Sequence, residues 1–295
     1  MKSLPKIKGI YKKNFSLSKL TWFQTGGKAE LLFIPKDLSD LQFFLKSLKK
    51  EKLSINVIGG GSNLLIRDGG IKGVVVKLGK GFDFINFEEK YILCGASVRN
   101  INLSNKVAKK QIRGYEFLST IPGTVGGSIF MNAGCFGNEI KNMIDSVIVL
   151  NKKGDLIELK KNLINFKYRS SGINNNYIIV ATKLKIKKGT ETNIKRNIKK
   201  FLNLRKKTQP IKVLTGGSTF INPPKKKAWK LIKDSGCTNM TIGGAKISDK
   251  HCNFLVNTGK ANSNDLEILG NKIRSRVYKY SGTKLDWEIK IIGNR

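Results

Sequence analysis

The chain has 295 residues, with 56 Lys or Arg against 20 Asp or Glu, a formal net charge of +36. That length allows one to three domains with sizeable cores. No apolar run is long enough for a membrane span, and Met1, Lys2 and Ser3 lead into a basic stretch with no apolar secretion segment. A cytoplasmic, monomeric protein without membrane insertion is expected. The cysteines (Cys94, Cys135, Cys237, Cys252) are scattered without a C-x-x-C pair, and His251 is the single histidine, which argues against a zinc site. A strong positive field attracts polyanions. Here, however, the lysines run along nearly the whole chain, and no zinc-finger or aromatic RNA-binding signature accompanies them. No nucleic-acid partner is expected.

Residues 1–20 are basic and predict an irregular lead-in. A strand follows at 31–34. Leu38, Leu41, Leu45 and Leu48 share one face of a helix over 37–50. An apolar strand at 55–58 feeds a first glycine run. The apolar triplets 64–66 and 74–76 flank Arg67-Asp68-Gly69-Gly70, a hairpin signal. These elements predict a compact α+β unit over 21–80.

A second unit, 81–189, contains a strand from 91 and a helix over 98–110. Strands follow at 147–150, 156–159 and 177–186. A boundary is placed near 190. The amphipathic helix over 190–207 turns Ile194, Ile198, Phe201 and Leu202 inward. The last unit, 190–295, carries a short helix at 228–234 and a strand core at 254–256. A capping-box pattern at Asn264 to Glu267 starts a helix with Leu266, Leu269, Ile273, Val277 and Tyr280 on one face. The final strand spans 285–292. There Trp287, Ile289 and Ile291 alternate with Glu288 and Lys290, so Glu288 points away from the apolar side.

Two glycine runs stand out. The first is Gly59-Gly60-Gly61-Ser62-Asn63. The second lies within 114–139, where Pro122 opens Gly123-Thr124-Val125-Gly126-Gly127 and Asn132-Ala133-Gly134 follows. Glycine brings the backbone close to a ligand, and successive bare N–H groups make concavities for phosphate. Two such cradles suggest a ligand with more than one phosphate. The first run lacks the third glycine of G-x-G-x-x-G and has no acid about twenty positions on, and no P-loop pattern occurs.

The runs at 21–27, 59–65, 121–137, 168–171, 217–223, 242–245, 250–254 and 287–289 together resemble the UDP-N-acetylenolpyruvoylglucosamine reductase (MurB) family, in that family's order. They extend from about residue 20 to 293 and are specific in combination. The resemblance implies an α+β fold: a two-subdomain FAD-binding domain of the vanillyl-alcohol-oxidase (PCMH) type, followed by an α+β substrate-binding domain. It implies non-covalent FAD, NADPH as hydride donor, and reduction of UDP-N-acetylglucosamine enolpyruvate to UDP-N-acetylmuramate. By the same resemblance Ser218 gives the C2 proton. Arg169 holds the substrate carboxylate, a task suited to a permanently charged guanidinium with paired donors. Glu288 steadies the enolate, best as a protonated acid, since a neighbouring like charge raises a carboxyl pKa.

For FAD the matching positions are Gly59, Gly60, Gly61, Ser62, Asn63, Pro122, Gly123, Thr124, Gly126, Gly127, Asn132, Ala133 and Gly134. Tyr168 and Asn222 match substrate contacts. The segment after Tyr168 is short, which matches the family type lacking an inserted tyrosine loop. Two other readings of the residues are an FAD oxidase of the same domain type and a basic nucleic-acid-binding protein. Oxidases of that type often hold flavin covalently through His or Cys, and here His251, the single histidine, is far in sequence from the glycine runs.

Overall fold

The computed structural model describes residues 4–48 and 53–295. In chain order the first elements are β1 (Ile10–Ser16), β2 (Lys28–Ile34), α1 (Leu38–Ser47), β3 (Ile55–Ile58), β4 (Leu64–Ile66) and β5 (Ile71–Lys77). Next come β6 (Ile85–Phe87), β7 (Tyr91–Gly95), α2 (Asn100–Lys109), α3 (Val125–Phe130), β8 (Gly134–Cys135) and β9 (Asn138–Glu139). They are followed by β10 (Ile144–Asn151), β11 (Leu156–Lys160), β12 (Tyr177–Lys185) and α4 (Glu191–Thr208). The last elements are α5 (Ala228–Asp234), β13 (Thr241–Ile242), β14 (Ala245–Ile247), β15 (Leu255–Asn257), α6 (Ser263–Ser281) and β16 (Lys290–Ile292). Among the described residues no helix is long and apolar enough to cross a membrane.

The chain divides into two compact units. The first comprises residues 1–13, 31–60 and 73–204; the second comprises 14–30, 61–72 and 205–295. The first unit holds a sheet ordered β11-β10-β12-β7-β6 and most of a sheet ordered β1-β2-β5-β3. Successive residues of a strand face opposite sides, and β10 and β12 use both sides. Val147, Val149 and Ile179 enter one core with Ile92, Leu103, Leu118 and Ile129. Leu150, Ile178 and Val180 enter another with Phe33, Leu41, Phe44 and Val76. Burial on both faces explains why β12 reads as a nearly continuous apolar run.

Helix α1 is started by Asp37, whose side chain accepts from the Asp40 N–H. The Asp40 carboxylate is itself buried, and the N–H groups of Lys8 and Lys36 donate to it at 2.8 and 2.9 Å. In that way both oxygens of a buried carboxyl group are satisfied by backbone donors.

The second unit packs α5 and α6 over the sheet β13-β14-β15, and β16 pairs in parallel with β4. Its core joins Phe23, Leu65, Phe220, Ile232, Ile247, Leu269, Ile273 and Leu285. Arg67 forks onto Glu267, with Nε and Nη2 donating to the two carboxylate oxygens at 2.8 and 2.9 Å.

Several sequence expectations are corrected. The basic lead-in contains β1, an edge strand whose lysines face water, a common way to blunt an open edge. The triplets 64–66 and 74–76 are not a hairpin: β4 pairs with β16, and β5 lies in a different sheet. The capping box is formed by Asn262 and Asp265, two residues earlier than Asn264 and Glu267. Leu202 and Tyr280 are 44% and 62% exposed, on the outer sides of their helices. The final strand is confined to β16, because residue 287 meets Phe220 through a lone bridge. Of the helix placed at 37–50, residues 49 and 50 lie outside the described residues, as do residues 1–3 of the lead-in.

Candidate active site

In the first unit the two glycine runs face each other. A Cβ on Gly60 would lie 2.6 Å from the Gly123 Cα, and one on Gly59 would lie 2.9 Å from the Thr124 hydroxyl. Backbone therefore meets backbone at a distance only glycine permits. Gly123 is held by Asn100, whose N–H donates to the Gly123 carbonyl and whose side-chain amide donates to the Ile121 and Pro122 carbonyls and the Ser128 hydroxyl. The N–H groups of Val125 and Gly126 donate to the carbonyls of Val98 and Ala96. Among the described residues, nothing accepts from the N–H groups of Gly59, Gly60, Gly123 or Thr124. These four donors fit a phosphate-bearing ligand. Gly127 is exposed, and its N–H reaches only the Thr124 hydroxyl, at 3.4 Å.

Asn132, Ala133 and Gly134 serve the scaffold around this run. Asn132 is fully buried and its amide is used at both ends: Nδ2 donates to the Lys167 carbonyl at 2.9 Å, and Oδ1 accepts from the Lys141 N–H. Ala133 bonds Ser128 and Ile140 through its backbone, while Gly134 opens the β8–β9 hairpin.

The Asn132 bond anchors the turn that carries Arg169. Lys167 and Ser170 exchange backbone hydrogen bonds at 2.8 and 3.2 Å, and Ser171 ties the exit to the Phe130 carbonyl. Arg169 at the tip has φ +60°, a conformation that non-glycine residues adopt only when the surroundings fix it. Its guanidinium lies 4.8 Å from the centre of the half-exposed Tyr168 ring, a cation–π contact that holds the side chain over the turn. No further element intervenes between this turn and β12.

In the second unit Ser218 and Glu288 are brought together by a ribbon that sequence spacing does not reveal. Ser218 bridges Phe254, and the Thr219 N–H donates to the Asn253 carbonyl at 2.8 Å. On the ribbon's other edge the Glu288 N–H donates to the Thr219 carbonyl at 2.8 Å, and Phe220 bridges Trp287. The Asn253 side chain closes both ends of Phe220, accepting from its N–H and donating to its carbonyl. The buried Thr219 hydroxyl accepts from the Leu255 N–H.

The remaining residues of the first glycine run reach the same place. Asn63 Nδ2 donates to the Glu288 carbonyl at 3.0 Å, the Lys290 N–H donates to the Asn63 carbonyl, and the Gly61 carbonyl accepts from the Trp22 N–H. The Ser62 carbonyl lies 3.9 Å from where a Cβ on Gly217 would stand. Asn222 Oδ1 accepts from the Ala228 N–H and so starts α5. Thr219 and Asn253 are the functional neighbours that sequence reasoning did not single out; the signal for each was its place in the 217–223 and 250–254 runs. His251 lies next to this wall, its Nδ1 accepting from the Asn253 N–H and its ring edge-on to Phe254. Burial pushes its pKa below the usual value, so the imidazole is neutral at neutral pH.

Comparison with known proteins gives this geometry a family. Residues 29–160 match an FAD-binding domain, and residues 209–292 match the C-terminal domain of UDP-N-acetylenolpyruvoylglucosamine reductase. The UDP-N-acetylenolpyruvoylglucosamine reductase of Rickettsia prowazekii (strain Madrid E) is 46% identical over 293 residues, covering 99% of both chains. That of Rickettsia massiliae (strain Mtu5) is 47% identical over 290 residues, covering 98% of both. The crystal structure of the Thermus caldophilus enzyme superposes with a TM-score of 0.83 at 28% identity, covering 97% of this chain and 99% of the other. With a flavin domain, a reductase C-terminal domain and relatives that match end to end, this chain belongs to the UDP-N-acetylenolpyruvoylglucosamine reductase family of FAD-dependent oxidoreductases.

Proposed function

We propose that the protein reduces UDP-N-acetylglucosamine enolpyruvate to UDP-N-acetylmuramate in the cytoplasm, using NADPH, as a step of peptidoglycan precursor synthesis. The observation that carries this reading is the shared ribbon on which Ser218 and Glu288 are fixed, with Asn63 of a glycine run bonded to the same strand. Bound FAD, reduced by NADPH, supplies the hydride that goes to C3 of the enolpyruvyl group.

The residues do the rest. Hydride addition at C3 leaves negative charge on C2 and the adjoining carboxylate. Arg169 grips that carboxylate with paired guanidinium donors and balances the charge. Glu288, as a neutral acid, donates a hydrogen bond to the enolate; the anionic substrate beside it favours the protonated form. Ser218 breaks its O–H bond as the C2–H bond forms, then regains a proton from water. A serine is a weak acid, so its proton moves only because the enolate carbon is strongly basic and held close. Gly59, Gly60, Gly123 and Thr124 present N–H groups to the cofactor phosphates.

The test is a spectrum. Purified protein should show bound flavin that NADPH bleaches without air and that the enolpyruvyl substrate then reoxidises. Flavin that bleaches yet ignores this substrate would move the assignment to another flavoenzyme reaction. A protein that binds no flavin after incubation with FAD would overturn the cofactor assignment as well.

A further inference from the structure

The cradle of the first unit has two cations beside it that the reaction above does not use. Lys77 ends β5, and its register partner Ile58 ends β3, one residue before Gly59. The lysine is thereby delivered to the glycine run, where its Nζ donates to the Gly59 carbonyl at 3.0 Å. Arg99 comes from the other side: it forms an antiparallel bridge with Thr124. It stands at the start of α2 without bonding the helix end, and it is exposed.

Among the described residues, neither cation forms an ion pair with a carboxylate. Lys77 is held below its ordinary pKa first by burial and then by the charge of Arg99. Two like charges brought together with one half-buried are unfavourable unless an anion lies between them. The N–H groups of Gly59, Gly60, Gly123 and Thr124, from which nothing accepts among the described residues, belong to the same two facing runs.

Resting on the FAD reading, the geometry points to Lys77 and Arg99 as the cationic contacts for the diphosphate of the flavin dinucleotide. The backbone donors supply shape, and the two side chains supply charge. Lys77, tethered to Gly59, also fixes the height of the loop on which the phosphates rest. The recognised chemistry is a diphosphate diester; the isoalloxazine ring makes no use of this pair.

The test is a titration of the full-length protein stripped of flavin, with FAD and separately with riboflavin, which has the same ring and no phosphate. Flavin fluorescence reports both. Loss of a charge-assisted hydrogen bond weakens binding by about 10- to 100-fold. Lys77→Met should weaken FAD by that factor, leave riboflavin unchanged, and flatten the salt dependence of FAD binding. Arg99→Gln should act in the same direction, and Lys77→Arg should bind FAD within about threefold of the parent, which separates charge from loop collapse.

Equal FAD affinity in the parent, Lys77→Met and Arg99→Gln would overturn the inference. So would an equal loss of FAD and riboflavin in Lys77→Met, since that marks a purely structural tether. A parent protein that binds neither compound would instead remove the FAD reading on which the inference stands.

Discussion

Gly270 lies on the buried side of α6, and a Cβ there would stand 1.9 Å from Cη2 of Trp287 and 2.8 Å from both Cζ2 and Cζ3. The indole cannot easily retreat, because its ring lies 5.1 Å from the fully buried Phe220 ring, centre to centre. At an open helix position Gly→Ala stabilises by about 1 kcal/mol. Overpacking of a filled core costs about 1–3 kcal/mol, and contact with a rigid ring belongs at the upper end. The balance for Gly270→Ala is thus a loss of about 2 kcal/mol, roughly thirtyfold in the folding constant. The displaced ring belongs to the residue before Glu288, whose N–H is bonded to Thr219. A shift of about 1 Å in a reacting group can cost on the order of 100-fold, so kcat should fall by at least tenfold in the fraction that folds. Urea denaturation and steady-state kinetics measure the two effects. The second substitution Trp287→Phe, which removes the clashing atoms, should recover stability. A Gly270→Ala protein that gains about 1 kcal/mol and keeps its kcat would refute the reasoning.

Other outcomes follow from single contacts. Arg67→Ala leaves Glu267, whose side chain is 10% exposed, with only the longer 3.4 Å contact from Arg295, and should cost about 2 kcal/mol; an unchanged melting temperature would contradict it. Ser218→Ala should lower kcat by about 10²–10⁴-fold while NADPH still bleaches the flavin at the parent rate, a split visible in half-reaction kinetics. If Glu288 acts as a neutral donor, Glu288→Gln should keep more activity than Glu288→Ala; a Gln variant no better than Ala, or a Glu288 pKa well below neutral in the substrate complex, would reject that role. Glu158 is held down to about 2, first by Lys183 and then by Ser146. Its folded value lies below the unfolded one, so its stabilisation is full above about pH 4.3 and drains away as pH falls toward 2. With a third of the side chain exposed, screening leaves about 1 kcal/mol, readable as the difference between the parent and Glu158→Gln in denaturation at pH 7 and pH 3.

Local features of the fold were legible and distant ones were not. Leu38, Leu41 and Leu45 mark α1 because helix periodicity acts within a few residues. Glycines 59 and 60 announce a close approach because no other residue allows it. The hairpin expected around Arg67-Asp68-Gly69-Gly70 had every local signal. Its apolar triplet nevertheless prefers β16, more than two hundred positions away, where it closes the second core. The placing of Ser218 and Glu288 on one ribbon depends on the Phe220–Trp287 register and on the Asn253 amide. No spacing rule encodes these, and only the family resemblance drew attention to the two positions. Asn132 reads as a cradle residue by its neighbours, yet its amide is committed inward to Lys167 and Lys141. Position in a motif did not distinguish the residue that lines the path from the one that holds it open.

The use of both faces of β10 and β12 makes them a party wall. Leu150, Ile178 and Val180 close the core beneath α1, so a fragment ending at residue 80 would keep Phe33, Leu41 and Phe44 but lose the surface they rest on. A fragment beginning at 81 would carry the wall with one side bare, an exposed apolar sheet face of the kind that drives association. Neither half of the first unit is therefore a sound object for separate expression. A split or inserted reporter should instead be placed in the exposed turn at Lys152 and Lys153, where the chain can be cut without opening either room.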